Sequence, residues 1–146
     1  MISTVPAVLD ALVARWTEAL PEVQVADGQP VVTENDLIAV GLHDVPGEPA
    51  VNSTRTIEQL AAQPDRESYD VSCIASSFTG AVEFKPIRDR VYELVNAAAG
   101  ALAADQTLGG LVMVARLTSD DLIQEQTEQG AVATVRFTVH VEAFTD

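Results

Sequence analysis

Residues Gly130 to Phe144 restrict the possible folds more than any other stretch of the chain. Ala131, Ala133, Val135, Phe137, Val139, Val141 and Ala143 share one parity, while Thr134, Arg136, Thr138, His140 and Glu142 fill most of the other. Successive side chains leave a strand on opposite sides, so alternation of this length specifies a long strand with one buried face. Such a strand needs neighbours for its backbone groups and a layer over its apolar side. The Ala-rich amphipathic stretch Lys85 to Ala104 is the expected cover.

The rest of the chain supplies the other elements. Val5, Val8, Leu9, Leu12, Val13, Trp16 and Leu20 recur at three- and four-residue steps, which makes a first helix. Ser3 or Thr4 can cap it, Pro6 suits its first turn and Pro21 stops it. Val23 to Ala26 is a short strand ended by Asp27-Gly28, and Leu37 to Leu42 is apolar enough to be a strand buried on both faces. His43 to Thr54 holds Pro46, Gly47 and Pro49 and reads as a long loop; Arg55 to Ala62 is open between strand and helix. Tyr69 to Ala75 alternates as a strand, with Cys73 on its apolar parity and Ile74 on the wet one, and Thr79-Gly80 ends it. In the second helix Ile87, Val91, Leu94, Val95, Ala98 and Leu102 share one face, and its alanine half, Ala97 to Ala104, suits close packing on a sheet. After a turn at Asp105 to Gly110, Leu111 to Leu117 is apolar on both parities except at Arg116, which predicts an interior strand. Glu128-Gln129-Gly130 suits a hairpin with a bulge leading into the final strand. The expectation is one α+β domain over residues 1–146: a mostly antiparallel sheet, two main helices on one face, and a long C-terminal β-hairpin.

Charge excludes more functions than it suggests. The chain has 22 acids against 8 bases, a net −14, so it lacks the basic patch that binding to a free duplex requires. No apolar run approaches the ~20 residues that span a bilayer. The start of the chain lacks the basic segment and cleavage site of a signal peptide, so a cytoplasmic product is expected, and Asn52-Ser53-Thr54 reads as a chance sequon. One cysteine excludes an internal disulfide, and Cys73 reads as an inert core thiol.

Catalytic patterns are not found. His43 and His140 lack helical spacing or a ligand motif, and Asp120, Asp121, Glu125 and Glu128 lack the order of a calcium loop. Thr107-Leu108-Gly109-Gly110 has no lysine and precedes a strand, unlike a phosphate cradle. Ser76 and Ser77 have no nucleophile elbow. We therefore expect no catalytic residue, cofactor or metal.

The C-terminal half nevertheless has a familiar order. An Ala-rich helix runs into Asp105-Gln106-Thr107-Leu108-Gly109-Gly110, then the apolar Leu111 to Leu117, then Gln126 to Gly130, then the alternating Ala131 to Ala143. With the opening helix, the Leu37 to Leu42 run followed by His43-Asp44, and the strand Tyr69 to Ala75, this resembles the tail terminator proteins of long-tailed (siphovirus-type) bacteriophages. The resemblance implies a virion protein at the head-proximal end of the tail. It would form a hexameric ring that stops growth of the tail tube and meets the head-side connector protein, with DNA crossing the ring unbound and no membrane involved. Acids facing that lumen would repel phosphate; the candidates are Asp120, Asp121, Glu125 and Glu128, or Glu34, Asp36, Asp44 and Glu48. Other readings are another neck or tail-completion protein, a small enzyme with a carboxylate site, and an acidic module that mimics DNA.

Overall fold

The structure, a computed structural model, describes residues 3–56 and 65–145. Two helices, α1 (Val5–Ala19) and α2 (Lys85–Ala104), lie on one face of a six-stranded sheet. The strands are β1 (Gln24–Asp27), β2 (Asp36–Val40), β3 (Val51–Thr56), β4 (Asp65–Thr79), β5 (Val114–Thr127) and β6 (Gly130–Thr145). Their order is β1-β2-β4-β6-β5, with β3 also on β4. The β1–β2 pair is parallel and every other pairing antiparallel, so the α+β class and the C-terminal hairpin are as expected.

The alternation that predicts β6 is realised in full. Its odd-numbered residues from Ala131 to Ala143 are all buried, on the side that also carries Tyr69, Val71, Cys73 and Ala75 of β4 and Ile38 and Val40 of β2. The six expected core residues of α2 cover them, as do Val8, Leu12 and Trp16 of α1. Trp16 fixes the meeting of the two helices: its indole N–H donates to the Ala98 carbonyl at 3.1 Å, and its ring tilts against Phe137 at 5.6 Å. The alanine half of α2 thus brings its backbone close to α1, which a larger residue at position 98 would prevent.

β4 is the spine of the sheet. One of its edges pairs with β6 from Asp65 to Thr79. The other edge is shared end to end, β3 taking Arg66–Val71 and β2 taking Cys73–Ser77. Three expectations change here. The strand read from Tyr69 starts earlier, at Asp65, and ends at Thr79 as expected, because Asp65 and Glu67 occupy buried-parity positions that their charge disguises. The loop expected over His43 to Thr54 ends at Ala50, since β4 supplies ladder partners for the polar Val51–Thr56. Within Arg55 to Ala62, the first two residues belong to β3, and 57–62 lie outside the described residues.

The interior strand expected over Leu111 to Leu117 is also corrected. β5 starts at Val114, runs to Thr127, and stands at the end of the strand order, where its ladder partner among the described residues is β6. Val112 is buried with Leu108 beneath the turn that closes the core, so its hydrophobicity reflects a plug rather than a strand. The bulge lies between Leu117 and Ser119, well away from the turn, which itself has only Glu128 and Gln129 between the paired Thr127 and Gly130.

Two carboxylates anchor the chain ends of the helices. Glu67, 1% exposed, accepts from the Thr4 backbone N–H (2.8 Å), the Thr4 hydroxyl (2.6 Å) and the Ser3 hydroxyl (2.5 Å). The Val5 N–H, first in α1, donates to the Ser3 hydroxyl at 3.2 Å, the local cap expected of Ser3, while the Thr4 side chain makes no cap bond of its own and is held by Glu67 of β4. Asp105 accepts from the Thr107 hydroxyl and N–H, the Gly109 N–H and the Arg15 guanidinium, which ties the exit of α2 to α1. Those four donors, the Thr107 hydroxyl first, hold its carboxyl well below the usual range.

Candidate functional site: the open face of the sheet

The helices cover one face of the sheet, and the even-numbered residues of β4 and β6 form the other. Ser68, Asp70, Ser72, Ile74 and Ser76 lie opposite Glu142, His140, Thr138, Arg136 and Thr134, giving a mostly polar surface on a rigid support. Ile74 is buried there, so this face is not uniformly wet.

At its centre Arg136 joins three elements. Its guanidinium is paired through Nε with Asp44, in the segment between β2 and β3, and its Nη2 donates to the second Asp44 oxygen at 3.3 Å. Its Nη1 lies 3.8 Å from Asp121 of β5, which is its register partner across the hairpin. These carboxylates, with Asp44 foremost, raise the guanidinium's already high pKa. Beside it a cleft of 320 Å³ is lined by Leu42, His43, Ser72, Asp121, Arg136 and Thr138, among others. His43 is committed locally, its Nδ1 accepting the Val45 N–H at 3.1 Å.

A second cluster surrounds His140. Its Nδ1 is 2.7 Å from Asp70 and its Nε2 is 3.0 Å from Glu142, which also accepts from Ser68 and Arg66. Asp70 and then Glu142 raise the imidazole pKa above its ordinary 6.5, and His140 in turn leads the lowering of Glu142. Both ring nitrogens are occupied by carboxylates on opposite sides, so the ring is a cationic bridge rather than a free base. Burial pushes the Cys73 thiol up to about 12, which keeps it protonated at neutral pH and unreactive. Among the described residues no three His, Cys, Asp or Glu side chains converge as a metal site.

The eight acids singled out from the sequence do not form two coherent clusters. Asp44 and Asp121, one from each proposed group, meet on Arg136. Asp36 faces the helices: it accepts from the Ser77 hydroxyl at 2.8 Å and pairs with Arg90 of α2 at 2.9 Å. Glu34 is exposed beside a second concavity of 470 Å³ that includes Leu37, Phe78 and Val132. Glu48 is exposed in the segment between β2 and β3; Asp120, Glu125 and Glu128 are exposed along β5 and its turn. Parity placed Arg136 and His140 on the polar side of β6, but their partners depend on register across β4 and β5. For Glu67 the signal was available: it shares the parity of Tyr69, Val71 and Cys73.

No protein-family model matches the sequence, and no curated protein matches it. Among solved structures, a chain described as part of the virion of a native gene transfer agent (GTA) particle has a similar fold, with a TM-score of 0.56 at 7% identity. The likeness covers 99% of this chain and 99% of that one. At such low identity the two share an architecture from end to end, and it is an architecture that a virion particle uses.

Proposed function

With a whole-chain fold of that kind as the premise, we propose that this protein is a structural component of a phage-like virion, and more specifically a tail terminator. In this reading six copies close into a ring on the end of the tail tube, stop its polymerisation and offer a surface to the head-side connector, while DNA passes through the lumen. The observation that carries the coarser reading is the end-to-end fold likeness to a virion chain. The finer reading draws on the order of elements in the C-terminal half and on the Asp105 to Gly110 turn, which the structure makes a rigid link between the helices and β5. A closed ring of one chain requires a head-to-tail contact, in which different patches of neighbouring copies meet.

Electron microscopy of the purified protein mixed with polymerising tail-tube protein tests the proposal. Rings seated on tube ends, with tubes of arrested length, are the expected result. Tubes that grow uncapped at saturating protein would overturn the terminator reading.

A further inference from the structure

The large apolar side chains that stay exposed fall at the two ends of the sheet: Val31, Val32 and Val82 at one, Met113 and Phe144 at the other. Val82 follows the end of β4, and Val31 and Val32 lie in the segment between β1 and β2. That segment is fixed with its valines in water. The Gln24 amide donates to the Val32 carbonyl at 2.7 Å and accepts from the Glu34 N–H at 2.8 Å, so the two side chains cannot fold back onto their own sheet. Beside them the concavity of 470 Å³ crosses the open face from Thr33, Glu34 and Asn35 to the β5–β6 turn. Its apolar lining comes from Leu37 of β2 and from Phe78 and Val132, register partners on β4 and β6. A groove of this kind beside exposed valines is a contact surface waiting for an apolar side chain.

The other end offers one. Phe144 shares the parity of Val132 and lies toward the far end of β6, about 40 Å away along the strand. It is 48% exposed, and Met113 adjoins it, its N–H donating to the Glu142 carbonyl at 2.9 Å. Charge follows the same polarity. Arg66, the register partner of Phe144, has a side chain 65% exposed although it pairs with Glu142. Arg116, opposite His140, is exposed and has no carboxylate partner among the described residues. At the groove end the exposed Glu34 and Glu83 carry the opposite sign. Groove against groove would set those acids against their own copies, whereas groove against Phe144 brings acids to arginines.

We propose that the groove lined by Leu37, Phe78 and Val132 receives Phe144 and Met113 of a second copy of this chain, with Arg66 and Arg116 of that copy facing Glu34 and Glu83. The contact is head-to-tail, since two different patches at opposite ends of the molecule meet, and such a contact repeats until it closes. The inference rests on the proposed assembly of one chain into a ring and names the surfaces that would join its members.

Disulfide trapping tests it, because the native Cys73 is buried and does not compete. Phe144→Cys and Val32→Cys replace exposed side chains, so the fold survives both. The two single variants, mixed under mild oxidation with and without tail-tube protein, should give the mixed dimer in excess of either symmetric one. A chain carrying both substitutions should give products of three or more copies. Arg116→Glu in the Phe144→Cys chain should slow the mixed product about fivefold, and Glu34→Lys in the other chain should restore it. A mixed product no faster than that of a Gly100→Cys control on the exposed side of α2 would overturn the proposal. So would an excess of symmetric dimers, or a rate that charge reversal at Arg116 leaves unchanged. Capped tubes without the mixed product would sink this contact alone; the mixed product on uncapped tubes would sink the terminator reading and leave the contact standing.

Discussion

His140 is held between Asp70 and Glu142 on the open face, and its contribution to stability has the opposite pH dependence to that of the acids around it. Its folded pKa is raised above 6.5, so the stabilisation is complete below about 6.5 and is lost as pH climbs through the raised value. Glu142 and Glu67 behave conversely. Burial works against ionisation of Glu67, but the Ser3 and Thr4 hydrogen bonds outweigh it, and both acids end below 4.5. Their stabilisation is present above about 4.5 and disappears as pH falls through the lowered values. Replacing His140 by Gln should therefore cost about 0.5–1 kcal/mol in urea unfolding near pH 6, allowing for solvent screening, and much less near pH 9. A deficit that grew with pH would contradict the bridging role. The alternation of β6 placed this histidine on its polar side, yet nothing local named Asp70, seventy residues away, as its partner.

At the scale of elements, two glycines separate geometry from mere smallness. Gly130 opens β6 at φ 140°, and a Cβ built there would fall 1.9 Å from the Thr79 carbonyl oxygen at the end of β4. Gly130→Ala must push the hairpin turn off β4, and a loss of about 2 kcal/mol or more in chemical unfolding is expected. Gly100 lies on the exposed side of α2 with no atom within 4 Å of its would-be Cβ. Gly100→Ala should therefore stabilise the free chain by about 0.5–1 kcal/mol, read in the same experiment. Both helices and β6 were legible because their periodicity is a local property of the side chains. β3 was not: Asn52, Ser53, Thr54 and Arg55 have no strand pattern, and only pairing with Asp70 to Glu67 makes them one. The edge position of β5 was equally hidden, since apolar residues at 111–117 report burial without saying whether a second strand or the closing turn provides it.

Over the whole molecule the acid surplus is sharpened by how the cations are used. Arg15, Arg66, Lys85, Arg90 and Arg136 each hold a carboxylate of the same chain, so their charge is largely neutralised within the fold. In the proposed ring, six chains at −14 bring on the order of eighty negative charges around one channel. Asp120, Glu125 and Glu128 are better lumen candidates than Asp36, which is turned toward Arg90. Replacing those three with Lys should make tube-mounted rings retain DNA, with retention falling steeply as salt is raised. Unchanged retention there and in a Glu34 and Glu48 double Lys variant would remove the repulsive-lumen idea. Residues 41–50 are attached at both ends to Ser72, whose carbonyl accepts from the Leu42 N–H and whose N–H donates to the Ala50 carbonyl. β2 and β3 take their registers independently from β4, so extra amino acids inserted near Gly47 would alter neither alignment. An epitope or affinity handle grafted there would emerge from the middle of the open face while the architecture beneath kept its original spacing.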